Sequence, residues 1–181
     1  MAAARILLAI VCFAVTGSIG QFNGHLLDPL SAQRQQLITI AASQVGVREA
    51  TGHNDGKAVE AYLAVTGLGK GYPWCASFIS WVYRKAGFVK PNSAWCPGLF
   101  PMSRISKEFL PGNVLGVYFP ELKRIAHVGL IVKLDGDWVI SCEGNTNVFG
   151  SREGDGVYLK RRPVRTIYRV ADWVKEGRML P

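Results

Sequence analysis

The chain has 181 residues, of which 49% are apolar and 19% charged, a balance that supports one packed domain and excludes a disordered one. The formal net charge is +8, which favours anionic partners. Only Lys160-Arg161-Arg162 clusters, with no nucleic-acid motif around it, so nucleic acid is not the expected partner.

In residues 1–20, Arg5 is the only charge, Ile6 to Val15 is an almost unbroken apolar run, and Ser18 and Gly20 sit at −3 and −1 of a cleavage site before Gln21. This pattern predicts a secretory signal peptide, a single mature domain over 21–181, and a secreted or periplasmic location in a bacterial cell envelope. The run is shorter than the roughly 20 residues that span a bilayer, so no stable membrane span is expected. Cys12 lies inside it with no small residue before it and is not read as a lipidation site. Export leaves Cys75, Cys96 and Cys142, an odd number in a compartment that favours disulfides. At least one thiol therefore has no partner within the chain, and reactivity is the obvious reason to retain it. Cys96 and Cys142 are open to two readings, a disulfide or two reduced thiols.

Along the mature chain, Ser31 to Gln44 is predicted as a helix, capped by Ser31, with Leu37, Ile40 and Ala41 on its apolar stripe and Gly46 closing it. Glu49 to Gly56 is polar and turn-like. Asn54 is the expected cap of a second helix through about Val65, with Val59, Tyr62 and Leu63 facing inward. After a glycine-rich loop, a third helix starts at Trp74 or Cys75 and runs to Ala86, with Gly87 as its stop. Pro91 to Pro101 is irregular, and Ser103 to Leu110 reads as a short helix. From Gly112 the pattern changes to β-rich runs: Val114–Phe119, His127–Lys133, Trp138–Cys142, Gly156–Arg162 and Ile167–Val170. Asp135-Gly136 marks a tight hairpin between the second run and the third. Helices first and strands afterwards predict an α+β fold, N-terminal helices packed on a C-terminal antiparallel sheet.

Three residues carry chemistry in this arrangement. A thiol attacks as its thiolate, and a helix start supplies unpaired N–H groups and the positive end of the macrodipole, which stabilise an anion; Cys75 has that placement. His127 opens a predicted strand and can act as its base. Glu143 and Asn145 arrive one hairpin later, and either can hold the imidazole in the tautomer a base needs. His25 lies beside the leader and His53 in a polar loop, so neither has this context. Trp74, Trp81, Trp138 and Trp173 read as core or groove walls, whereas Trp95, in a Pro/Gly-rich loop, is the candidate to line a substrate cleft. Cys142 is expected to point away from His127 on its strand. No metal-ligand cluster is visible, and neither metal nor cofactor is expected.

Tyr72-Pro73-Trp74-Cys75-Ala76-Ser77-Phe78, Ala126-His127-Val128-Gly129-Leu130-Ile131-Val132 and Glu143-Gly144-Asn145-Thr146 resemble the motifs of CHAP-type cysteine peptidases, close relatives of the NlpC/P60 group. The resemblance spans about Ser31 to Val170. It implies a papain-like fold and hydrolysis of amide bonds in bacterial peptidoglycan, as N-acetylmuramoyl-L-alanine amidase or peptide endopeptidase, with stem peptides and glycan as the partner. By motif position it implies Cys75 as nucleophile, His127 as base and Glu143 as the group that orients it, with Asn145 alongside. The Cys75 N–H and the Tyr72 hydroxyl are then the candidate oxyanion donors. Glu49 to Gly56 resembles a segment that precedes the cysteine motif in exported members, which makes Asn54 a candidate substrate contact. The chain departs from the family in having no SH3-like or lysin-type wall-binding module. Three other readings stay open: thiol-mediated acyl or amide transfer to an acceptor other than water, a non-catalytic wall-binding or inhibitory module of the same fold, and a delivered amidase toxin with an immunity or inhibitor protein as partner.

Overall fold

The computed structural model describes residues 29–149 and 154–175. The expected leader 1–20, its cleavage before Gln21, Cys12 and His25 lie outside the described residues.

Three helices come first. Helix α1 spans Pro29–Ala42 and buries Leu37 and Ala41. It starts two residues earlier than expected, which puts Ser31 inside the first turn; Pro29 suits a first turn, where its missing N–H has no partner to lose. Helix α2 spans Lys57–Val65 and follows Gly56, at φ 103°, rather than Asn54. Asn54 sits at φ 55° in the preceding turn, where its N–H donates to the Glu49 carboxylate at 2.9 Å and its carbonyl accepts from Gly71 N–H at 2.9 Å. These bonds hold the left-handed turn that displaces the helix start. Helix α3 spans Cys75–Lys85, with Gly87 at φ 87° after it and Phe78, Val82 and Ala86 buried, as the 3.6-residue spacing predicts.

The region expected as a helix over Ser103–Leu110 is something else. Met102–Arg104 makes one tight turn, and β1 (Ile105–Ser106) then pairs antiparallel with β6 (Arg169–Ala171). A segment this short gains little from helical bonds of its own, and the open edge of β6 offers it a ladder.

Strands β2 (Val114–Phe119), β3 (Arg124–Asp135), β4 (Trp138–Thr146) and β5 (Gly156–Pro163) complete a six-stranded antiparallel sheet of order β1-β6-β2-β3-β4-β5. β3 and β4 both outrun their apolar segments. His127 is thus the fourth residue of β3, and β4 continues through Glu143 and Asn145. Backbone pairing with neighbouring strands carries the ladder past the point where side-chain alternation stops signalling it.

One face of the sheet packs on the helices. Val128, Leu130, Cys142 and Val157 join Leu37, Phe78 and Val82 in the main core, each side chain of this size contributing roughly 1.5–3 kcal/mol on burial. The opposite face carries a smaller cluster of Leu115, Ile131, Val139 and Val170. Gly144 decides where α3 sits: a Cβ there would lie 2.6 Å from the Trp74 ring and 2.8 Å from Phe78. Its bare backbone lets the head of α3 lie directly on β4. No helix among the described residues is long and apolar enough to cross a membrane.

Candidate active site

Cys75 is the first residue of α3 and only 6% exposed. No side chain caps this helix start, and the Ala76 N–H is directed at the Cys75 sulfur. Trp74 is locked beneath it, its ring N–H donating to Glu49 at 2.8 Å. The same carboxylate that holds the Asn54 turn therefore also fixes the residue before the thiol.

The imidazole of His127 interacts with the Cys75 thiol, and its Nε2 donates to the Glu143 carboxylate Oε2 at 2.8 Å. Glu143 is fully buried yet accepts four bonds: this one, one from Ser141 Oγ (2.6 Å), and two from the Arg162 guanidinium (2.6 Å each). The paired fork of Arg162 is what permits an ionised carboxylate inside the protein. Gly129 makes room for it, since a Cβ at that position would lie 2.6 Å from Glu143 Cγ.

The charges follow from these contacts. Burial opposes ionisation of Glu143, but the bonds and charges of Arg162 and His127 overcome it and hold the carboxyl well below the usual carboxylate range. Burial likewise opposes a charged imidazole, yet bonding to Cys75 and Glu143 raises the His127 pKa to about 9. The Cys75 thiol is held well below its ordinary value, first by a hydrogen bond from Cys96, then, against burial, by the bond and positive charge of His127 and by the Ala76 N–H. The two sulfurs of Cys75 and Cys96 are 3.4 Å apart. Cys96 is pushed well above its usual range because it gives that bond to Cys75, because it is buried, and because Cys75 repels a second negative charge. Both shifts favour the thiolate–imidazolium form of the pair over the neutral one.

Cys75 and His127 open onto a cleft of about 330 Å³. Its lining includes Pro73, Asn145, Phe149, Arg124, Lys160 and Arg162, and among the described residues no acidic side chain. Arg162 is neutralised by Glu143, whereas among the described residues Arg124 and Lys160 hydrogen-bond only to backbone carbonyls.

The candidates thus separate. Cys75, His127 and Glu143 come together. Asn145 lines the cleft, but it sits at φ 52° where the β4–β5 register shifts, which breaks the alternation expected to aim it with Glu143 at His127. The contact to the imidazole is made by Glu143. Tyr72 (55% exposed), Trp95 (61% exposed) and Asn54 are not among the residues lining the cleft. Cys142 points to the helix-packed face and donates to the Ala41 carbonyl at 3.3 Å, so no Cys96–Cys142 disulfide exists; both thiols are free.

Arg162 and the Cys96–Cys75 contact escape sequence reasoning. The signal for Arg162 lay in strand alternation: in Lys160-Arg161-Arg162 the middle residue must face away from its neighbours, and Arg161 indeed stacks on Trp138, 3.8 Å from the ring centre. Cys96 had no such signal, because an irregular loop brings it back to the head of α3.

Comparison of the chain with protein families, curated proteins and solved structures finds no match.

Proposed function

We propose that this protein is a cysteine hydrolase of papain-like architecture that cuts amide bonds in bacterial peptidoglycan, exported by its leader. The observation that carries the chemistry is the continuous chain Cys75–His127–Glu143–Arg162, in which a buried carboxylate pinned by a guanidinium aims an imidazole at a thiol on a helix start. The substrate assignment rests on the three CHAP-like motifs, and the cations Arg124 and Lys160 in the cleft lining suit a carboxylate-bearing stem peptide.

The reaction follows from the thiolate–imidazolium form. The Cys75 thiolate attacks the amide carbonyl carbon, and the uncapped start of α3 faces the developing oxyanion. His127, already protonated, gives its proton to the leaving nitrogen as the C–N bond breaks and a thioester forms. It then takes a proton from water, whose oxygen attacks the thioester and releases the acid and the thiolate. Glu143 keeps Nε2 protonated and the ring in place throughout.

The test is release of soluble fragments from purified peptidoglycan, with mass analysis to identify the bond. New amino groups on peptides freed from muramic acid mean amidase; split stems or cross-links mean endopeptidase. Cys75→Ala should lower the rate by about 10⁴-fold or more while its circular dichroism is unchanged. Undiminished hydrolysis by that variant would remove Cys75 as the nucleophile.

A further inference from the structure

Hydrolysis as derived above uses Cys96 only as a hydrogen-bond donor, yet among the described cysteines no other sulfur lies beside Cys75. The Cys75 and Cys96 sulfurs are 3.4 Å apart, both thiols are free, and both are buried. A disulfide has an S–S length of about 2.05 Å, so the sulfurs need close by only about 1.4 Å. Each cysteine is the first residue of its element, Cys75 of α3 and Cys96 of the single 3₁₀ turn Cys96–Leu99, where a small rotation disturbs little of the ladder behind it. Cys142 is remote from this pair, fully buried under α1 and bonded to Ala41.

We propose that Cys75 and Cys96 form a reversible disulfide by exchange with small external disulfides, a modification site that caps the sulfur of the cleft. That the bond switches hydrolysis off rests on the reading of Cys75 as nucleophile; the bond itself does not. The exchange balances in two steps. The Cys75 thiolate attacks a disulfide RSSR, forming Cys75–S–SR and releasing RS⁻. Cys96 then loses its proton to solvent and attacks the Cys75 sulfur, expelling a second RS⁻. Two protein thiols are oxidised, and one external disulfide is reduced to two thiols.

Access and charge set that order. Cys75 lines the open cleft, whereas Cys96 does not. Cys96 is held protonated by its bond to Cys75, by burial and by the thiolate charge, and the first step removes the bond and the charge. The mixed disulfide therefore frees its own resolving thiol. The three cysteines of the described residues then divide into a working pair and one core residue. For an exported thiolate the bond also blocks the irreversible steps of sulfur oxidation.

The experiment uses the full mature chain, reduced and then exchanged into oxidised glutathione near neutral pH. The expected result is an intact mass lower by two hydrogen atoms, no retained glutathione, and a proteolytic fragment linking Cys75 to Cys96. Peptidoglycan hydrolysis should fall about tenfold or more and return with dithiothreitol. Cys96→Ser should instead keep a stable glutathione adduct on Cys75. A wild-type chain that ends with that adduct, with both thiols still alkylatable, or with Cys96 linked to Cys142, would overturn the inference. A reduced protein that forms the Cys75–Cys96 link but never hydrolyses peptidoglycan would overturn the hydrolase reading and leave the pair standing.

Discussion

Cys142 and Glu143 are neighbours on β4, both fully buried, and they face opposite sides of the sheet. On the helix-packed side, burial acts almost alone: the Cys142 thiol is pushed up to about 12 by desolvation, with the Glu143 charge adding to it, and gives its proton to a backbone carbonyl. On the other side, burial is opposed and beaten. Glu143 meets Arg162, Ser141 and His127, and stays ionised. Cys75 repeats the contrast with Cys142, since it is also buried but its thiol is pushed down, not up. Desolvation sets the sign of a pKa shift only until charge-assisted bonds outnumber it.

The sharpest test of that contrast exchanges one residue on each face. Glu143→Gln keeps the shape but removes the charge that holds the imidazolium, and should lower kcat about a thousandfold. Cys142→Ala should keep kcat within about twofold and cost about 1–2 kcal/mol in denaturant unfolding, from lost core contacts. If the two variants lose activity equally, the functional distinction between the faces is wrong.

Adjacent arginines give the next comparison. Arg162→Gln leaves a buried carboxylate without its fork and should cost about 3 kcal/mol in unfolding free energy, with hydrolysis reduced as well. Arg161→Gln loses only an exposed stack on Trp138 and should cost less than about 1 kcal/mol.

A pH profile reads the ion pair. Leaving-group departure needs a protonated His127, so kcat/KM should fall as pH rises through about 9. The acid limb, where the Cys75 thiolate takes up a proton, should lie well below the usual thiol range. In Glu143→Gln the alkaline limb should move to lower pH, because the partner that raises the imidazole is gone. An unmoved limb would mean that Glu143 orients the ring without tuning it.

The smallest effect is expected at the rim. Lys160→Gln removes a cleft cation that donates to the carbonyls of Asn147 and Val148. KM for an anionic substrate should rise roughly three- to tenfold, with kcat within about twofold and a weaker salt dependence.

Where local pattern governs, the sequence was readable. Phe78, Val82 and Ala86 mark α3 by their spacing, and Gly87 ends it as expected. The tight turn Gly136-Asp137, one residue on from the expected Asp135-Gly136, joins β3 to β4, and Cys75, His127 and Glu143 are legible as candidates from their local context. Asn54 was misread because a capping residue and a left-handed turn residue share the same chemistry. What separates them here is Glu49, five residues away, binding the Asn54 N–H. Ser103–Leu110 was misread because β6, more than sixty residues later, supplies the pairing that makes Ile105–Ser106 a strand.

By itself, then, the sequence determined the three N-terminal helices and the later strands β2 to β5, the thiol at a helix start, and which histidine and carboxylates were available, because these depend on neighbours within a few residues. The tertiary structure alone decided which of Glu143 and Asn145 meets the imidazole, that Arg162 pins the carboxylate, and that Cys96 returns to Cys75. Those contacts join residues 16 to 21 positions apart across strands and loops. Their energies depend on burial and on the directions of several groups at once, which no local pattern of residues encodes.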